Sequence, residues 1–256
     1  MELDYDALLR LTAEVGYRLQ VNGAEIYRVE ESMQRILRAY GAWSGEVFAI
    51  PSCIIVSLTT PEGQPITRIR RIPAHGTDLE QLEAYNDLCR VLCESCPELS
   101  MADALLTRLE SGCRHFSPAG ELVGYFMATG AFSLFFGGNW RDGLCGGLCG
   151  MAVGLCLSFM TRMGSNLFFK SIAGAAVSGV LALLLAWAGL GQHLDSIIIG
   201  ALMALVPGTL FTYAMRDIMA GDLMAGISKA AEALLIGAAI ALGTGFALAL
   251  ARSVGG

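Results

Sequence analysis

The sequence predicts an α-helical multi-pass membrane protein, with five transmembrane helices following an N-terminal α+β cytoplasmic domain. Long apolar runs fill residues 117–256, each close to the ~20 residues a helix needs to cross the hydrocarbon core of a bilayer. Residues 1–116 instead alternate apolar and polar positions at helical or strand spacing. Charge divides at the same place: of 17 Lys+Arg and 23 Asp+Glu, residues 118–256 hold only six of each, so the net charge of −6 belongs to the head.

In the head, Leu8, Leu11, Val15 and Leu19 recur at helical spacing and Asn22-Gly23 supplies a stop. A second helix carries the stripe Ile26, Val29, Met33, Ile36, Leu37 and Tyr40 beside charges spaced for i,i+3 and i,i+4 pairing, and Gly41 ends it. The β-branched run Val47 to Thr60, a turn at Pro61-Glu-Gly-Gln64 and the alternating Ile66 to Ile72 read as a small sheet. Thr77-Asp-Leu-Glu80 has the form of a capping box opening a helix through Leu92, and Ser100 to Asp103 begins another that ends near Gly112.

An acidic head with no basic stripe argues against nucleic acid as a partner, because phosphate binding needs a positive surface. Met1-Glu-Leu-Asp-Tyr-Asp lacks the basic n-region and apolar h-region of a cleavable signal, so the head is expected to stay where it is made. The eight cysteines then read as reduced thiols, and neither a cofactor nor a metal is expected. Cys89, Cys93 and Cys96 with Cys113 and His115 could be bent around zinc, but Cys89 and Cys93 read more simply as helical core residues. Cys145, Cys149 and Cys156 lie among glycines, where close helix packing accounts for both residue types.

The five spans are expected at about residues 118–137, 143–160, 171–190, 196–215 and 224–251. Arg162, Lys170, Arg216 and Lys229 fall in the second and fourth loops and only Arg141 in the others, which places the N-terminus in the cytoplasm. In the fourth span Pro207 removes an amide donor and Gly208 loosens the backbone. This reads either as a plain proline kink or as a broken helix whose freed peptide groups meet water or cargo. Arg216, Asp217, Asp222, Lys229 and Glu232 follow at once. Arg216 could clamp a carboxylate and Asp217, Asp222 or Glu232 could carry a proton, or the group could flank the membrane as paired interfacial charges. Glu121, just inside the first span, is a further acid of this kind.

Asn22-Gly-Ala-Glu-Ile-Tyr-Arg-Val-Glu30 resembles the early segment of the threonine/serine exporter family. Gly76-Thr-Asp-Leu79 followed by Asn86 resembles its later cytoplasmic segment, and Pro207-Gly208, Arg216-Asp217, Gly221-Asp222 and Gly226 resemble its membrane signature. The resemblance implies proton-driven outward movement of small hydrophilic carboxylates, threonine and serine in some members and a succinate-like dicarboxylate in others. It also implies the larger half of a split exporter, in a bacterial inner membrane, acting with a small four- or five-span partner as a hetero- or homo-oligomer. It directs attention to Glu25, Arg28 and Glu30 as a gate, a regulatory site or an ion-pair network. The competing readings are a membrane-anchored, hydrolase-like enzyme using Glu25, Glu30, His75 and His115, and a ligand sensor using the head. No assembled nucleophile, metal spacing or phosphate loop supports the enzyme.

Overall fold

The computed structural model describes residues 3–73, 76–112 and 116–255. The chain divides into two units, Met1–Arg114 with Thr212–Lys229 and His115–Phe211 with Ala230–Gly256.

In the first unit, α1 (Tyr5–Val21) begins where the Asp4 carboxylate accepts the amide of Ala7 at 3.0 Å. Its expected stripe of Leu8, Leu11, Val15 and Leu19 is buried. Helix α2 (Ile26–Ala39) buries Ile26, Val29, Met33, Ile36 and Leu37. The two helices approach at Gly16, where an added Cβ would lie 2.2 Å from the Met33 sulfur.

The β-branched run after α2 is two strands rather than one. Strands β1 (Glu46–Ile50) and β2 (Cys53–Thr59) pair antiparallel, with Ile50 opposite Cys53. Pro51 and Ser52 make the turn, a place where a missing amide donor costs no ladder bond. Strand β3 (Pro65–Arg71) completes the order β1-β2-β3. Ile54, Val56 and Leu58 occupy one face of β2 and join the core made by α1 and α2. Each such aliphatic side chain removed from water contributes roughly 1.5–3 kcal/mol.

Helix α3 (Leu79–Ser95) is capped by Asp78, whose carboxylate accepts the amide of Gln81 at 3.0 Å. Asp78 therefore takes the cap that the Thr77-x-x-Glu80 pattern assigned one residue earlier. Helix α4 (Leu99–Gly112) follows, and Tyr85, Leu88, Leu92, Ala102 and Leu106 are buried. Ala225, far along the chain, belongs to the same core.

The second unit reverses the head's pattern, with small residues inside and large apolar ones outside. Helix α5 (Pro118–Phe135) starts at Ser117 with proline in its first turn, and α6 (Trp140–Arg162) starts at Asn139. They meet through small side chains: Thr129 Oγ1 donates to the carbonyl of Gly146 at 2.9 Å, and a Cβ on Gly150 would lie 2.1 Å from Thr129 Oγ1. Cys145 and Cys149 are buried with Ala182, Ile197 and Ala201, as the packing reading expects. Val123, Phe135, Leu155, Phe159, Leu234 and Phe246 are exposed, and so extended an apolar outer surface suits contact with lipid.

Among the described residues, three helices are long and apolar enough to cross a membrane: Trp140–Arg162, α7 (Leu167–Trp187) and, within α10 (Leu223–Gly255), Leu223–Ser253. The first expected span is the 18-residue α5, outside that set. The fourth is divided into α8 (Leu194–Leu202), nine residues long, and α9 (Gly208–Ala220), of thirteen. Val206 and Pro207 lie between them in neither helix. The mechanism is local, since proline offers no amide and its ring disfavours helical backbone in the residue before it.

Candidate functional site

Two turns of opposite ends of the chain build the site, both within the first unit. In the first, Gly23 takes φ +98°, and a Cβ there would lie 2.9 Å from the carbonyl oxygen of Gly76. The amide of Gly76 donates to Val21 at 2.9 Å and that of Asp78 to Asn22 at 3.1 Å, so the two head segments are bonded backbone to backbone. The tight turn delivers Glu25 to the N-terminus of α2, where its carbonyl accepts the amide of Val29 at 3.1 Å. Its side chain caps nothing and is 6% exposed.

In the second turn, α9 ends in left-handed Gly221 (φ +101°), whose amide donates to Ile218, while the amide of Asp222 donates to Asp217 at 2.9 Å. Helix α10 then doubles back so closely that a Cβ on Gly226 would lie 2.4 Å from Ile218 Cγ1 and 2.8 Å from the Ala214 oxygen. This approach sets Lys229 Nζ 2.7 Å from Asp217 Oδ2, with the side chains 8% and 0% exposed. The other carboxylate oxygen, Oδ1, is buried without a hydrogen-bond partner.

The neighbouring Arg216 reaches Glu25. Its Nη1 donates to Glu25 Oε1, and Arg28 Nε lies 3.4 Å from Glu25 Oε2. One buried carboxylate is thus held by two guanidiniums that are themselves half exposed, and burial of a charge is tolerable only when it is paired in this way. Glu30, further along α2, accepts the amide of Ala49 at 2.7 Å. Burial pushes its carboxyl above the usual value; the Ala49 bond opposes the rise and the charge of Asp222 adds to it.

The fold therefore brings together Glu25, Arg28, Glu30, Arg216, Asp217 and Asp222, and adds Lys229 as the buried partner of Asp217. It assigns Pro207, Gly208, Glu121 and Glu232 to the other unit. Glu121 is exposed in the first turn of α5, and Glu232 is half-buried on α10. Asn86 lines a cleft of about 360 Å³ with Ser32, Arg35, Cys89, Arg90 and Cys93. Cys89 is a core residue whose thiol burial pushes up to about 12, which disfavours the thiolate a metal needs. His75, Cys113 and His115 lie outside the described residues.

One cluster in the second unit escaped the sequence reading. Asp142, fully buried, accepts the amides of Asn139 at 2.8 Å, Gln192 at 2.6 Å and His193 at 3.1 Å, and its Oδ2 lies 2.7 Å from His193 Nδ1. Asn139-x-x-Asp142 is a capping pair, and that spacing was the available signal.

Comparison with known proteins matches residues 10–251 to the threonine/serine exporter family, ThrE. The "Probable threonine/serine exporter" of Mycobacterium tuberculosis (strain ATCC 25618 / H37Rv) is 22% identical over 241 residues, covering 92% of this chain and 45% of the relative. The chain spans about half the length of that relative. No solved structure matches.

Proposed function

This chain belongs to the threonine/serine exporter family, and we propose that it is the head-bearing subunit of a secondary exporter of small carboxylate metabolites. Its cargo is threonine or serine, or a succinate-like dicarboxylate, and its driving force is the proton gradient. It works with a small four- or five-span partner in the bacterial inner membrane, its N-terminus in the cytoplasm. Arg162 and Lys170, flanking the second loop, against the single Arg141 in the first support the orientation. Helix α5 and the interrupted α8–α9 pair complete five crossings with the three long helices. As an exporter subunit it carries out no catalysis, and the head serves as a gate.

The observation that carries this reading is the meeting of Glu25 with Arg216, which joins the early head segment to the charged segment after the broken helix. A guanidinium at that place matches the one group common to every proposed cargo, a carboxylate. Pro207 and Gly208 mark the interruption of the fourth crossing, a feature that transport helices use at their cargo sites. The buried Asp217–Lys229 pair, with one carboxylate oxygen unpartnered, is the candidate for proton coupling, with Asp222 and Glu232 as alternates.

The test is efflux from vesicles loaded with threonine, serine or succinate and containing this chain with its partner. An imposed proton gradient should drive loss of one cargo, and Arg216→Ala or Asp222→Ala should abolish it at unchanged protein abundance. No gradient-dependent loss of any of the three would remove the assignment.

A further inference from the structure

We infer that Arg28 and Arg216 together form the receptor for one small carboxylate, and that Glu25 is its internal competitor. The inference rests on the exporter reading for the identity of the ligand, but it makes a separate claim about which residues hold it.

Three observations lead there. First, two guanidiniums face one carboxylate, a trio of net positive charge, with the charge of Glu31 also acting on Arg28. Second, of the five N–H donors a guanidinium offers, the contacts with Glu25 lie at Nη1 of Arg216 and at Nε of Arg28, whose N–H donates to Tyr27 Oη at 3.3 Å. Third, the arginine side chains are 56% and 51% exposed while Glu25 is 6% exposed. A ligand from solution can reach the exposed arginines, whereas Glu25 is buried.

That arrangement is complementary to a second carboxylate, which the fork geometry of arginine suits better than an ammonium would. Glu25 then has two effects on such a ligand. It holds the guanidiniums side by side, and its own charge repels the incoming carboxylate across a short distance. Glutamine at this position keeps an oxygen for the arginines and removes the repulsion. Without cargo the two guanidiniums are thus engaged by Glu25, and cargo engages the same two groups.

The experiment measures equilibrium binding of radiolabelled succinate and threonine to the purified full-length chain in lipid nanodiscs, at low ionic strength. Arg28→Ala and Arg216→Ala should each weaken binding of the preferred ligand about tenfold or more, the loss of one charge-assisted contact. Glu25→Gln should tighten it several-fold. Arg35→Ala, which removes a more exposed guanidinium from the same helix, should leave it unchanged. Arg28 is on the surface, so its variant keeps the fold and decides the question even if Glu25→Gln is not recovered folded. Binding by Arg28→Ala equal to wild type overturns the inference, as does Glu25→Gln weakening in step with Arg216→Ala, or no binding of either ligand by the wild type. Efflux on the same preparation separates the two claims. Retained efflux with unaltered binding in Arg28→Ala overturns the receptor alone, whereas arginine-dependent binding with no gradient-driven efflux upholds the receptor and removes the exporter.

Discussion

Replacing Lys229 with methionine keeps the length of the side chain and deletes its charge, leaving Asp217 without its ion-pair partner. Asp217 Oδ1 has no hydrogen bond, so Lys229 Nζ at 2.7 Å from Oδ2 is the contact that compensates the buried charge. Stranding one member of a buried pair costs about 3–5 kcal/mol. At roughly 2–4 °C per kcal/mol for a chain of this size, the midpoint of thermal unfolding should fall by about 6–20 °C. The double variant Asp217→Leu, Lys229→Met removes both charges, and apolar replacement of a buried pair is often neutral. It should therefore recover most of the loss. The assay is thermal unfolding of the full chain in detergent, following a fluorophore that reports burial of the thiols, across the four members of the cycle. If the double variant is destabilised by the sum of the single effects, the two side chains are uncoupled and the reasoning fails.

Glu30 gives a pH-dependent prediction. Its carboxyl is raised above the usual value by burial and by Asp222, so the folded state binds a proton more tightly than the unfolded one, and the stability associated with that proton is lost as pH rises through the raised value. Glu30→Gln, whose amide oxygen can still accept from Ala49, should be more stable than wild type at pH 7 and equal to it at about pH 4, where both forms are neutral; an unfolding midpoint difference independent of pH would contradict this. Gly226→Val places carbon against Ile218 and the Ala214 carbonyl and should destabilise by about 1–3 kcal/mol, while the same change at exposed Gly237, where a Cβ meets nothing within 4 Å, should not; equal melting of the two would remove the close-approach argument. Asp142→Asn presents amide hydrogens toward donors that had faced carboxylate oxygens, and should cost about 2–4 kcal/mol, read as a lower melting temperature than that of Asp195→Asn.

What could be read along the chain was what is determined locally. Buried stripes at Leu8, Leu11, Val15 and Leu19 and at Ile26, Val29, Met33 and Ile36 follow from helical periodicity, and the glycine-mediated helix contacts follow from the absence of side chains at those positions. The break at Pro207 was legible because proline's missing donor acts on its own turn. Sequence and structure differ where one local signal competes with another: the β-branched run hides the Pro51-Ser52 turn, and Asp78 displaces Thr77 as the helix cap. The charged residues from 216 to 229 were ambiguous for a different reason. Their spacing fits a solvated membrane flank, and nothing nearby in sequence indicates that Arg216 meets a carboxylate 191 positions away. The Asp217–Lys229 pair needed the Gly221 turn and the Gly226 contact together, a tertiary result that no window of sequence contains.

Asp142 has a consequence for motion. A single carboxylate fastens the beginning of α6 to the two residues that lead into α8, and Asn139 adds a second tie through Gln192 at 2.6 Å. Separating the two segments would break the bonds to Gln192 and His193 together and leave a buried charge largely unpaired. Any rearrangement that alternates the face presented to the two sides of the bilayer must carry this corner along as one riveted plate, and flexing is left to the helix break at Val206 and Pro207.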